Sequence, residues 1–256
     1  MMKNKFQFTR RNPQTKKIED VGFLEIKNQQ DGSAELYFYG DIVSATWQSQ
    51  WYEEDKCPQD ISDFLNQIDI NANITVYFNS GGGDVFAGIA IYNLLKRHKG
   101  HKTGIVDALA ASIASVILMA CDEITVMTGA QVMVHKPWCM TWGNADDLAE
   151  TIKHLDKCQE SIVGIYLTKT KEGVTQQDIE AIVNAETWMT GADLQKYFDV
   201  EIENTASIAA CASCYFDKYA NLPEALKQTA SPDDSGKPKP KSEAEMLLED
   251  LDEYGI

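Results

Sequence analysis

The sequence predicts an α/β fold built around a parallel β-sheet, and two observations carry that prediction. Short runs of β-branched and aromatic residues alternate along the chain with amphipathic runs at helical spacing. Glycine, aspartate or small residues close several of the apolar runs, which marks the ends of elements. Strand and helix alternating at this spacing favour crossover helices and leave little room for antiparallel hairpins.

The first half of the chain contains a polar lead-in and the start of the sheet. We expect residues 1–33 to be irregular, with a short strand near 23–26. The core begins with the β-rich run at 35–39. The next predicted elements are a helix at 58–67, a strand at 74–78, a glycine turn at 79–83 and a helix at 85–98.

The second half repeats this alternation and then becomes helical. A helix is predicted at 112–121, and strands at 104–106, 124–126 and 131–134. The long segment 144–170 is amphipathic, with a stripe of Leu148, Ile152, Leu155, Ile162 and Ile165. Two further helices begin near Thr175 and Thr190.

We expect the chain to divide into an extension at 1–33, a folded domain at 34–222 and a linker with an acidic tail at 223–256. Residues 231–242 are rich in Pro, Lys, Ser and Asp, a composition that is typical of a linker. The acidic stretch 243–254 carries four large apolar residues. It is either a short helix that folds against a partner or a frayed tail.

Composition limits the classes of partner. Of 256 residues, 44% are hydrophobic and 24% are charged, which is typical of a soluble globular protein. The net charge of −16 argues against binding to nucleic acid or to an anionic membrane, although solubility alone accounts for such a charge. No apolar run approaches the roughly 20 residues of a membrane span, and no signal peptide is visible.

The six cysteines are scattered, so we expect reduced thiols in a cytoplasm. Cys211 and Cys214 form a lone C-x-x-C with no second pair and no nearby histidine, which favours ordinary thiols over zinc. We therefore expect neither a metal nor a cofactor.

Ser112 is the candidate nucleophile. It lies where a predicted strand and a short turn meet a helix, between the small residues Ala110 and Ala114. A nucleophile on a sharp strand-to-helix turn needs small neighbours because the backbone approaches closely there. Tight packing of a small-residue helix on the sheet accounts for the same pattern.

His135 is the candidate base. Among the four histidines, only His135 directly follows a predicted buried strand, and Pro137 ends that strand. Strand ends in parallel sheets lie at the rim where loops build active sites. A base needs such a fixed position and a pKa near the working pH. A capping or surface histidine is the alternative.

The glycine turn Asn79–Asp84 leads from a strand into a helix. Its backbone N–H groups are suited to stabilising an oxyanion or to holding a phosphate. The glycine spacing does not match a nucleotide P-loop and no lysine follows it, and both observations argue against such a loop. An ordinary tight turn fits as well.

Four motifs in this order resemble the Clp protease proteolytic subunit family of serine peptidases. They are NSGGGDVFAG at 79–88, AAS at 110–112, VMVHKP at 132–137 and ETWMT at 186–190, and the resemblance covers about residues 34–203. It implies a crotonase-like spiral of β-α units, with 144–170 as a long handle helix between rings. It also implies a homo-oligomeric ring and polypeptide substrates.

The resemblance implies the roles of the site residues. Ser112 is the nucleophile, His135 the base and Glu186 the acid that orients it, while the N–H groups of Gly83 and Ile113 hold the oxyanion. Two departures stand out: Glu186 occupies a position where the housekeeping enzyme has aspartate, and Gly81 one where the family usually has proline. The second departure predicts a looser oxyanion turn.

Three segments resemble the phage-type head maturation (prohead) branch of the family: GGGDVFAGIAIYNLLKRH, GNADDL and AETWMT. That branch implies capsid or scaffold processing in the host cytoplasm or within the prohead. The alternatives are general protein turnover with an ATPase partner, an acyl-CoA enzyme on the same fold, or an inactive shell or scaffold protein. The serine and histidine motifs together argue against the last two.

Overall fold

The structure is a computed structural model that describes residues 5–11, 18–25, 33–44, 56–203, 213, 216–223 and 226. The β-strands are β1 (Lys5–Arg11), β2 (Ile18–Glu25), β3 (Ala34–Phe38), β4 (Ile74–Ser80), β5 (Lys102–Ala111), β6 (Glu123–Met127), β7 (Gln131–Val134), β8 (Thr187–Thr190) and β9 (Glu201–Glu203). The helices are α1 (Pro58–Leu65), α2 (Val85–Arg97), α3 (Ile113–Leu118), α4 (Ala145–Leu167), α5 (Gln176–Asn184) and α6 (Gly191–Leu194), and Phe216–Lys218 form a 3₁₀ turn.

Seven strands form one mostly parallel sheet. β3, β4, β5, β6 and β9 are neighbours in that order, and each of these pairs is parallel. β7 pairs parallel with β5, and β8 adds an antiparallel strand to β7. Helices connect the parallel strands, as crossover connections require. The predicted α/β fold is therefore confirmed.

The sheet forks along β5. The first half of this strand, residues 103–106, pairs with β6, whereas residues 109–111 pair with β7. β6 and β7 are separated by the short connection 128–130, so the chain moves from one branch of the fork to the other within three residues. The fork places the end of β7 beside the end of β5.

One prediction about strands is wrong, and a further strand was not predicted. The lead-in is not irregular throughout, because β1 and β2 pair as antiparallel strands. The alternation in KFQFTRR is the period-two signal of a strand. Strand β8 at residues 187–190 was not predicted. The helix predicted to start near Thr190 is confirmed, because Thr190 caps α6 by accepting a hydrogen bond from the Asp193 N–H.

The core lies on the inner face of the sheet against the helices. Phe38 of β3 and Phe78 of β4 are fully buried and stack with ring centroids 5.4 Å apart. Ile61 of α1 and Ile91 of α2 are fully buried in the same cluster. Apolar burial of this kind is the main favourable term in folding, and it sets the position of each helix on the sheet.

Helix α4 is only partly covered by the other residues that the structure describes. Asn144 caps its start and makes a capping box with Asp147. Ile162 and the residues after it reach the core, but Leu148 is 41% exposed and Ile152 is 59% exposed. The predicted apolar stripe thus lies in the core at one end and faces outward at the other. Within the described ranges, no helix is both long and apolar enough to cross a membrane.

Several predictions fall outside the described residues. These are the linker at 231–242, the acidic stretch at 243–254 and the Cys211–Cys214 pair. The division into segments 1–33, 34–222 and 223–256 stays a prediction.

Candidate active site

Ser112 lies on a strained turn between β5 and α3. Its backbone has φ 54° and ψ −127°, a region that residues with a side chain rarely adopt. The Ser112 N–H donates to the Met133 carbonyl over 2.9 Å, which ties the turn to β7. Ala110 and Ala114 on either side are fully buried, as the small-neighbour pattern predicts. Strain of this kind is a feature of nucleophile turns.

The sheet register brings Ser112 to His135. Ala110 pairs with Val132 and Ala111 with Met133, so β5 and β7 end at the same edge of the sheet. The two residues that follow these strand ends face each other there. The Ser112 Oγ lies 2.7 Å from the His135 Nε2, within hydrogen-bond distance. A serine whose hydroxyl meets an imidazole nitrogen is the arrangement that lets a base take its proton.

His135 is buried, with 9% of its surface exposed. Burial is the larger influence and lowers the pKa of the imidazole, and the negative charge of Glu186 partly offsets it. The imidazole is therefore neutral near pH 7, and a neutral ring nitrogen can accept the serine proton.

Glu186 lies near His135, but no hydrogen bond joins them. Its carboxylate instead accepts the backbone N–H groups of Ala220, over 3.0 Å, and Asn221, over 2.5 Å. Its own backbone has φ 48°, in the turn between α5 and β8. Its link to the imidazole is electrostatic. The role of Glu186 as the orienting acid stays a prediction.

The glycine turn packs directly on Ser112. A Cβ on Gly82 would lie 2.7 Å from the Ser112 Cβ, and a Cβ on Gly83 would lie 2.0 Å from the Ile42 carbonyl oxygen. Both glycines also have positive φ, at 104° and 146°. The N–H groups of Gly83 and Ile113 donate to no other residue in the described part of the chain. Their role in an oxyanion hole stays a prediction.

A family model described as Clp protease matches residues 54–198, more than half of the chain. The chain belongs to the Clp protease family. The match contains Ser112, His135, Glu186 and the glycine turn, so the resemblance in the motifs and the family model cover the same region. The phage-type branch is a finer assignment than this match shows.

Curated relatives in the Clp protease family are similar to this chain over about half of its length. An ATP-dependent Clp protease proteolytic subunit of Bacteroides fragilis is 28% identical over 136 residues, which are 52% of this chain and 65% of the relative. The protein of that name in Bacteroides thetaiotaomicron is 27% identical over 136 residues, 61% of its length. The one in Borreliella afzelii is 29% identical over 136 residues, 68% of its length. The chain thus spans a little under two thirds of the first two relatives.

Beside the serine and histidine of this Clp-family site lies an apolar pocket. Its other lining residues are Val85, Ile113, Val116, Pro137, Ile162 and Tyr166. These side chains come from α2, α3, α4 and the loop after β7. The pocket therefore offers an apolar surface to a group held next to the Ser112 hydroxyl.

Ser115 and Tyr166 support the turn at Ser112, and sequence reasoning missed both. The Ser115 hydroxyl donates to the Ser112 carbonyl over 2.6 Å and meets the Tyr166 hydroxyl at 2.7 Å. Ser115 stands about one helical turn after Ser112, a spacing that could have indicated the contact. Tyr166 lies 51 residues away from Ser115, and nothing in the sequence connects them. Across the described ranges, no group of side chains is arranged to hold a metal ion.

Proposed function

We propose that this chain is a serine endopeptidase in which Ser112 is the nucleophile and His135 the base. The observation that carries the proposal is the 2.7 Å approach of the Ser112 Oγ to the His135 Nε2 on a backbone with φ 54°. Membership of the Clp protease family supports it. An acyl-CoA enzyme has no need of this serine–histidine pair.

The proposed reaction follows from these positions. The Ser112 Oγ attacks the scissile carbonyl carbon while its proton passes to the His135 Nε2. The N–H groups of Gly83 and Ile113 donate to the oxyanion. When the C–N bond breaks, the imidazolium gives its proton to the leaving amine. Water then attacks the acyl-serine with His135 again as base, which releases the acid and restores Ser112.

In this proposal Glu186 acts on the imidazolium through its charge. Its carboxylate favours the cation that forms when His135 takes the proton. Its two carboxylate oxygens accept the N–H groups of Ala220 and Asn221, and neither accepts a hydrogen bond from the imidazole. A modest contribution of Glu186 to the rate is therefore expected.

The proposed substrate is a polypeptide with an apolar side chain beside the scissile bond. The crevice next to Ser112 has room for about one water molecule, so a substrate side chain would lie against its rim and not inside it. That rim is mainly aliphatic, and a charged group placed against it would lose part of its hydration. Peptides that differ only at this position test the point. A preference for aspartate or lysine there would contradict it.

The proposed biological role is processing of a capsid or scaffold protein in phage head maturation, by a homo-oligomeric ring in the host cytoplasm or the prohead. The motif wording at 81–98, 143–148 and 185–190 supports the branch. The exposed apolar residues Leu148 and Ile152 on α4 support assembly through that helix.

A second candidate role is general protein turnover with an ATPase partner. The observation in its favour is the printed name of the relatives, ATP-dependent Clp protease proteolytic subunit. The two roles differ in whether degradation of the substrate requires ATP. A maturation protease cleaves an exposed site in its scaffold without ATP, whereas a turnover peptidase degrades folded proteins only when an unfolding ATPase delivers them.

Labelling with a fluorophosphonate probe tests the peptidase proposal. We expect the wild-type chain to gain the mass of one probe at Ser112, and Ser112→Ala to gain none. Ser62→Ala is the matched control, because it removes a serine hydroxyl on α1, outside the candidate site. A folded wild-type chain that stays unlabelled at high probe concentration would falsify the proposal.

A further inference from the structure

The C-terminal segment, by which we mean residues 213, 216–223 and 226, lies against the candidate site although it follows the family match at 54–198. Phe216 and Tyr219 are buried in a small apolar cluster with Leu109, Ala111 and Met133, the strand residues that lead to the site. This part of the chain therefore packs on the edge of the sheet where β5 and β7 end.

Tyr219 contacts two parts of the proposed machinery at once. Its ring lies 5.1 Å from the His135 ring and meets it edge-on at 87°. Its hydroxyl donates to the Gly81 carbonyl at the start of the glycine turn. The residue is only 7% exposed, and Trp188 packs on it at 5.9 Å. A buried tyrosine held in this way has one available orientation.

Gly81 permits this close approach. A Cβ at this position would lie 2.3 Å from the Cβ and Oγ of Ser213 and 3.3 Å from the Phe216 ring. Ser213 is anchored in turn, because its hydroxyl donates to the Asp41 carboxylate over 2.6 Å. The absence of a side chain at Gly81 therefore lets the C-terminal segment hold the turn from outside.

The imidazole needs such support. His135 hydrogen-bonds to Ser112 through Nε2 and makes no other hydrogen bond to a described residue. The nearest acid, Glu186, is held by the N–H groups of Ala220 and Asn221 in the same C-terminal segment. Packing, rather than a hydrogen bond to Nδ1, is what limits rotation of the ring.

We propose that Tyr219 is a positioning residue, whose ring orients His135 and whose hydroxyl fixes the Gly81–Gly83 turn for the oxyanion. The proposal rests on the peptidase function proposed above. It assigns separate tasks to the two ends of one side chain, so the tasks can be separated by substitution. It also makes residues beyond the family match part of the working site.

The two substitutions are Tyr219→Phe and Tyr219→Leu in the full chain. Tyr219→Phe keeps the ring against His135 and removes the hydrogen bond to the turn, so we expect a loss of about two- to tenfold in kcat with little change in KM. The pH profile should stay in place. Tyr219→Leu also removes the ring, so the His135 imidazole can rotate more freely and is more exposed to water.

For Tyr219→Leu we expect a further loss in kcat and an acid limb of the pH profile displaced to higher pH. The direction follows from burial, which lowers the pKa of His135 and is relieved when the ring is removed. Glu186 is the charged group that acts on this imidazole in the described part of the chain, and it is unchanged in both variants. A general loss of stability would not move the limb.

Tyr37→Phe is the matched control. The Tyr37 hydroxyl donates to the Glu35 carboxylate over 2.8 Å on β3, outside the candidate site. We expect wild-type kcat and an unmoved pH profile for it. Circular dichroism and thermal melts accompany each variant. If Tyr219→Leu is unfolded, Tyr219→Phe still decides the hydroxyl task, and Tyr219→Met, which keeps an apolar side chain without a ring, tests the ring.

Failure of the positioning role of Tyr219 and failure of the proposed peptidase function would give different results. A wild-type chain that neither hydrolyses peptide nor reacts with fluorophosphonate removes the peptidase proposal itself. A reactive wild type with folded Tyr219 variants that match it in kcat and pH profile overturns the positioning role. So does an increase in activity in these variants, because it would mean that the C-terminal segment obstructs the site.

Discussion

The backbone conformation of Ser112 predicts that two inactive variants differ in stability in the reverse of the usual order, with glycine more stabilising than alanine. Both Ser112→Ala and Ser112→Gly remove the hydroxyl that meets His135. They differ only in whether a Cβ remains at a residue with φ 54° and ψ −127°. A side chain in such a region costs about 1–3 kcal/mol, which glycine relieves. The extra freedom of glycine in the unfolded chain offsets about 0.4–1 kcal/mol of that gain.

The expected result is that Ser112→Gly is more stable than Ser112→Ala by about 1 kcal/mol. For a chain of this size the difference corresponds to about 2–4 °C in melting temperature. Urea denaturation followed by circular dichroism measures the free energy of unfolding of both variants, and calorimetry gives the melting temperatures.

Ala181 supplies the control for this comparison. It is exposed on α5, where the backbone is helical, so Ala181→Gly should lower stability by about 1 kcal/mol. The same exchange of alanine for glycine thus has opposite signs at the two positions. Equal stability of the two Ser112 variants, or greater stability of the alanine variant, would refute the inference that this turn is strained.

Three further predictions concern activity and assembly. Ser112→Ala and His135→Ala should each lower peptide hydrolysis about 10³-fold or more, and the double variant should lose no more, since the two groups act as a unit. Activity of the wild type should rise with pH at a midpoint below about 6.5, because burial lowers the pKa of His135. Glu186→Gln should reduce the rate less than Ser112→Ala does. It should also lower the midpoint of the pH profile further, because it removes the charge that raises the pKa of His135. An unchanged midpoint in rate measurements against pH would contradict the electrostatic role. Ile152→Asp should convert a homo-oligomer to monomers in size exclusion with light scattering, whereas a monomeric, fully active wild type would exclude assembly through α4.

The sequence predicted correctly those helices and strand ends that are determined by neighbouring residues. Asp84 and Thr175 cap α2 and α5 where the sequence pattern places helix starts. Small residues around Ser112 and the strand before His135 indicated that both lie at a rim, and the sheet register brings them within hydrogen-bond distance. Spacing in the sequence could not show that they meet, because this depends on the order of strands in the sheet.

The features that sequence reasoning missed are long-range. β8 joins β7 across residues 135–186, which contain α4, α5 and their loops, and its four residues carry no clear alternation. Tyr219 reaches Gly81 over a separation of 138 residues, so no window of sequence connects them. The partners of the Glu186 carboxylate lie 34 and 35 residues further along the chain. Such contacts follow from the packed fold and not from local propensity.

The fork of β5 makes the site sensitive to the length of the chain between β6 and β7. Residues 128–130 join the two branches, and Gly129 turns there with φ 87°. One added residue in this connection would shift β7 by one position against β5, which turns every side chain of β7 to the opposite face. His135 would then leave Ser112 although no residue of the site had changed. An insertion beside Gly173, in an exposed turn between α4 and α5, has no strand register to disturb. The approach of Ser112 to His135 thus depends on the number of residues between two strands as much as on the identity of the two residues themselves.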